Sequence, residues 1–246
     1  FLVSINLLIK PFYIFGIDRT VQNTVNDGEY GLYFTLFGFT FLFQIINDFG
    51  LQQYNNRNIA QHPFLLKKYF PSLLIIKLLL NFVFLFFIFF TAWILGYELS
   101  IFPLIFFIGI NQILISLVLF LRSNITGLGM YRTDSLLSAL EKTLLIIICG
   151  TLLWGNLFEE TFKIEWFVWA QTASWSLTAV VAFGVLWKFS KKRAQPLISK
   201  GGLQKHFKPI FFLAILKKSY PFALVILLMT IYTRIDSVMI ERMLPD

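Results

Sequence analysis

Eight ionisable side chains lie in or beside long apolar stretches of this 246-residue sequence: Lys10, Asp18, Arg19, Lys77, Glu141, Lys142, Arg234 and Asp236. Charged groups at membrane depth are expensive and face a bundle interior or a water-filled cavity, so each is a functional candidate. Lys10 sits beside Pro11, which removes a backbone donor and favours a kink. Glu141 lies about 10 Å along its helix from Asp134, and Arg234 about 22 Å from Ser219. Lys77 and Asn81 share a helix face, and Asn111, Gln112 and Ser116 mark the next apolar run. Bases outnumber acids in this set, and a cationic lining suits an anionic cargo. Plainer readings stand beside this one. Lys77 could snorkel to an interface, Arg234 and Asp236 could reach the outer surface of a tilted helix, and Glu141 and Lys142 could pair with neighbouring helices.

Bond-making chemistry finds little support. His62 and His206 lie in basic loops without metal-ligand spacing, so neither a metal nor a cofactor is expected. Cys149 reads as a lipid- or core-facing thiol and cannot form an internal disulfide alone. Gly127 and Gly129 form a turn rather than a phosphate loop, since no Lys-Ser or Lys-Thr follows. Asn124-Ile-Thr126 matches a glycosylation acceptor by chance on the side expected to face the cytoplasm. Asn55-Asn56-Arg57-Asn58 either contacts cargo or caps a helix.

The elements that must position these groups are membrane helices. Hydrophobic residues make up 57% of the chain and charged ones 14%, which excludes both an ordinary soluble globule and a disordered chain. Seven apolar runs approach the length of about 20 residues that spans a bilayer. They are residues 1–16, 31–49, 72–96, 101–121, 135–154, 166–187 and 219–239. Strict alternation is absent, so a barrel is excluded. Alternate connecting segments hold fourteen bases on one side and two on the other, nine of them between Lys188 and Lys218. The positive-inside rule places the fourteen in the cytoplasm, with the first helix running outward. Loop asymmetry thus accounts for the net charge of +8 without a nucleic-acid partner.

Three regions are expected: a six-helix lobe over 1–188, a basic linker with a short interfacial helix over 189–218, and a seventh helix over 219–246. The first and seventh helices both close on Ile-Asp beside an Arg, at Ile17-Asp18 and Ile235-Asp236. Transporters often duplicate such helical blocks, so a second lobe beginning at Ser219 is expected in a longer chain.

The run Ile9-Lys-Pro-Phe-Tyr-Ile-Phe-Gly-Ile-Asp-Arg19 is followed by Glu29-Tyr-Gly-Leu-Tyr33, Asp48-Phe-Gly-Leu51, Tyr54-Asn-Asn-Arg-Asn-Ile-Ala60 and Tyr232-Thr-Arg-Ile-Asp236. This set resembles polysaccharide biosynthesis proteins of the Wzx oligosaccharide-flippase kind, in the superfamily of multidrug exporters and the lipid II flippase. The resemblance implies an all-α polytopic bundle of two pseudo-symmetric lobes around a central cavity. It also implies a transporter, not an enzyme, that flips polyprenyl-pyrophosphate-linked oligosaccharide across the bacterial inner membrane by alternating access. Under it, Lys10, Arg19, Lys77, Lys142 and Arg234 would hold the anionic substrate. Asp18, Glu141 and Asp236 would pair with them or couple a proton or sodium gradient. The implied partners are the lipid-linked oligosaccharide, membrane lipid and other polysaccharide-assembly proteins. The competing readings are a drug or cation antiporter of the same fold, a membrane polymerase or ligase of glycan assembly, and a receptor-like scaffold.

Overall fold

The computed structural model describes residues 2–63, 66–155, 162–192 and 209–243, with side chains left undescribed at 2–5, 27, 67–68, 190–192, 209–211, 230–231 and 233–243. Among the described residues the chain is helical throughout, without strands. Among these residues, five helices are long and apolar enough to cross a bilayer, and a sixth if one bent pair counts as a single span. The protein is an all-α polytopic membrane protein.

Helix α1 (Leu2–Phe12) does not stop near Gly16. It continues through a π-helical segment (Tyr13–Asp18) into α2 (Arg19–Thr24), so the connection between the first two apolar runs is helical through Thr24. Pro11 disrupts the regular ladder and wider π turns accommodate local irregularities of this kind. The Thr20 hydroxyl donates to the Gly16 carbonyl within that stretch. The chain then turns at Val25, whose backbone is extended, and Asn26 caps α3 (Asp27–Leu42) by accepting from the Gly28 N–H at 3.3 Å.

Helices α4 (Gln44–Asp48) and α5 (Leu51–Gln61) follow a break at Phe43, where the axis bends by 48°. Phe49 and Gly50 adopt left-handed backbone angles (φ 46° and 71°) between α4 and α5. The connection between the second and third apolar runs is therefore helical over Leu51–Gln61 and again from Leu66. Its residues were too polar to register as a span, yet Leu51, Asn55 and Ile59 repeat every four positions and bury one face.

Helices α6 (Leu66–Ile94), α7 (Phe102–Gly127), α8 (Tyr131–Trp154) and α9 (Ile164–Lys192) match four expected spans, each with one or both ends extended by a turn or more. α6 divides cleanly: Phe82, Phe86, Phe90 and Trp93 stand exposed on one face, while Leu73, Ile76, Phe84 and Ile88 are buried on the other. That exposed aromatic face suits contact with lipid tails. α7 is central, packing against α9, α5, α6 and α8. Its end is tied to α8 by an Arg122 Nε–Asp134 Oδ1 ion pair at 2.6 Å across a turn with Gly129 at φ 77°. The connection between the apolar runs 101–121 and 135–154 is thus reduced to Leu128–Met130.

α10 (Pro209–Met243) removes another expected boundary, because the short interfacial helix ending at Lys218 and the span starting at Ser219 form one helix. Pro221 lies inside it and loses one backbone bond. The contact of Ser219–Ala223 with Gly50 supports the helix at that point.

Gly127 permits a close approach of α7 to α5: an added Cβ would stand 3.0 Å from Ile59 Cβ and 3.1 Å from the Asn56 carbonyl oxygen. Gly127→Val is expected to destabilise the protein by about 1–3 kcal/mol through overpacking. A lowered thermal unfolding midpoint in detergent checks this; an unchanged midpoint would mean the helices are not held together there.

Candidate functional site

The first helix, α8 and α9 meet around Lys142. Adjacent residues on a helix normally point apart, yet Lys142 Nζ folds back to 3.1 Å from Glu141 Oε1. Glu141 is held from behind, because Trp175 Nε1 donates to its Oε1 at 3.2 Å and the Ser174 hydroxyl donates to its backbone carbonyl at 2.7 Å. The Lys142 ammonium also lies 4.8 Å from the centre of the Tyr13 ring, a cation–π contact worth about 0.5–2 kcal/mol. Asp18, half-buried at the end of the π segment, is within electrostatic reach of Lys142 and of Tyr13, Tyr30 and Tyr33. The side chains of Glu141 and Lys142 keep 16% and 24% of their surface accessible.

A neutral polar network anchors α9, which carries Ser174 and Trp175 of this centre. Gln171 Nε2 donates to Tyr33 Oη at 3.1 Å, Asn111 Nδ2 donates to Gln171 Oε1 at 3.3 Å, and the Thr172 hydroxyl donates to Asn111 Oδ1 at 2.6 Å. α3, α7 and α9 are thereby joined by groups that satisfy one another in the interior. Asn6 Nδ2 donates to Ser135 Oγ at 2.9 Å and ties α1 to α8.

Lys77 belongs to a different place. Its side chain is 0% exposed, so it does not snorkel. The ammonium donates to Asp48 Oδ1 and the Asn47 carbonyl, each at 2.9 Å, and to the Ser116 hydroxyl. It closes the C-terminal end of α4, where backbone carbonyls lack helical partners and attract a cation. Lys10 is exposed on α1, and Arg19 is exposed on α2 with its Nη1 3.4 Å from Gln22 Oε1. Arg234 and Asp236 fall on the backbone of α10, but their side chains lie outside the described residues.

Of the eight expected groups, the structure brings together Asp18, Glu141 and Lys142. It encloses Lys77 elsewhere and leaves Lys10 and Arg19 outside the cluster. Sequence reasoning missed Tyr13 and Trp175, which carry no charge at membrane depth, and Asp48, the partner of Lys77. Asp48 was within reach of the same rule that selected Lys77, because it closes an apolar run.

Long apolar helices with a half-buried ion cluster between them define a multi-pass membrane protein. The polysaccharide biosynthesis protein family matches residues 15–246. The chain belongs to that family and takes part in polysaccharide biosynthesis. No curated protein and no solved structure matches it.

Proposed function

We propose that this protein moves a polyprenyl-pyrophosphate-linked oligosaccharide from the cytoplasmic to the outer leaflet of the bacterial cell membrane by alternating access. Family membership supports a saccharide cargo, and the Lys142 centre is the observation that carries the mechanism. A half-buried ammonium paired with Glu141, with the Asp18 carboxylate within electrostatic reach, can exchange partners: a pyrophosphate draws Lys142 away from Glu141, and the freed carboxylate takes up a proton or sodium ion. That exchange would link cargo binding to a cation gradient, with Asp18 as the second acceptor. Lys10, Arg19 and Arg234 would guide the anion, and Asp236 would serve as a further pairing or ion-coupling acid. Flipping requires no bond to be made or broken, so no catalytic residue is assigned.

Neutralising Lys10, Lys142 and Arg234 together is expected to lower leaflet transfer of lipid-linked oligosaccharide in reconstituted vesicles by about tenfold or more, the loss that follows removal of charged hydrogen bonds. Undiminished transfer by the triple variant, or none by the unaltered protein, would overturn this reading.

The antiporter reading is disfavoured by the centre itself. An organic cation would have to displace Lys142 from Glu141.

A further inference from the structure

A cavity of about 310 Å³ opens where α5, α6 and α10 converge, away from the Lys142 centre, and it is lined by Tyr54, Asn58, Tyr69, Leu73, Ala214, Ile215 and Lys218. Its volume falls in the range of small-molecule sites, about 300–1,000 Å³. Each helix contributes residues four apart on one face: Tyr54 and Asn58 from α5, Tyr69 and Leu73 from α6, and Ala214 and Lys218 from α10. The pattern is therefore a three-helix junction rather than a gap along one element.

Leu73 and Ile215 belong to the buried cluster beneath, so the floor is apolar and fixed. The polar lining consists of two phenols, one amide and one ammonium, with no carboxylate. Such a set repels cations and offers hydroxyl and amide partners to a hydroxylated group, with a point charge for a phosphate. Lys218 and the adjacent Lys217 are exposed, as is Arg57 on α5. These three cations raise the local concentration of anions around the junction.

We propose that this junction binds the phosphorylated, hydroxyl-bearing headgroup of a membrane lipid, with the phosphate at Lys218 and the hydroxyls between Tyr54, Asn58 and Tyr69. The chemistry is shared by a glycerol phospholipid and by a lipid-linked sugar phosphate. The proposal stands on the geometry of the junction and not on transport: loss of transfer with headgroup binding intact would fail the flippase reading alone.

The test uses the protein in neutral detergent and calorimetric titration with three short-chain probes: phosphatidylglycerol, phosphatidylcholine and a prenyl-pyrophosphate-linked sugar. Binding of at least one anionic probe is expected, with phosphatidylcholine weaker, and the ranking of the two anionic probes identifies the source. Lys218→Gln should weaken that binding by about tenfold, and Tyr54→Phe with Tyr69→Phe by a smaller factor, as expected for a charged against a neutral hydrogen bond. Lys218 is exposed and the Phe replacements keep the rings, so unchanged thermal midpoints should accompany these losses. Equal binding of phosphatidylcholine, no binding of either anionic probe, or affinities unchanged in both variants would overturn the proposal.

Discussion

Lys77→Met is expected to destabilise the protein by about 3–5 kcal/mol, because it strands a buried partner instead of removing a surface charge. The ammonium holds Asp48, the Asn47 carbonyl and the Ser116 hydroxyl at once, and Asp48 itself is only 13% exposed. Without Lys77, the Asp48 carboxylate and the end of α4 lose their counter-charge in a region that water reaches poorly. The thermal midpoint should fall by on the order of 10 °C, using roughly 2–4 °C per kcal/mol for a chain of this size. Combining Lys77→Met with Asp48→Asn should recover part of the loss, since no charge is then left unpaired. A single variant within about 1 kcal/mol of the unaltered protein would show that Lys77 is not the group that closes α4.

The same residue shows where sequence reading reached its limit. That Lys77 lies inside an apolar run is legible, because apolar run length is a property of consecutive residues. Its partner lies 29 positions earlier, and only the folding of α4 beside α6 decides the match. The spans of α6, α7, α8 and α9 were readable for that reason, while α5 was not: Asn55 lies on its buried face, where it donates to Ser123 Oγ at 3.5 Å. A polar residue on a buried helix face looks like loop to any reading based on hydrophobicity. At the candidate site, Asp18, Glu141 and Lys142 were found by charge, but Trp175 and Tyr13 were not. Their roles come from an indole N–H and a ring face, which carry no signal until α8, α9 and the first helix are packed. The π segment is a further case: Pro11 predicts a local irregularity, but not that the helix recovers and carries Asp18 inward.

Gly50→Ala should separate α10 from α5, and the geometry leaves little room for accommodation. The added Cβ would lie 2.5 Å from the Ala223 nitrogen, 2.7 Å from the Ser219 carbonyl oxygen and 2.9 Å from the Phe222 carbonyl carbon. All three are backbone atoms of one helix, so no side-chain rotation relieves the clash. Gly50 also holds φ 71°, a left-handed angle that penalises any L side chain by roughly 1–2 kcal/mol. With overpacking of about 1–3 kcal/mol, the total is roughly 2–5 kcal/mol. Gly184→Ala is the matched control: it lies within α9, nothing stands within 4 Å of its added Cβ, and it should be neutral or stabilise by about 0.5–1 kcal/mol. Displacing α10 also moves Lys218 and Ile215 away from Tyr54, so Gly50→Ala should weaken headgroup binding at the junction without touching a lining residue. A Gly50→Ala protein with an unchanged thermal midpoint and unchanged affinity would mean that α10 is not seated on α5 through this glycine.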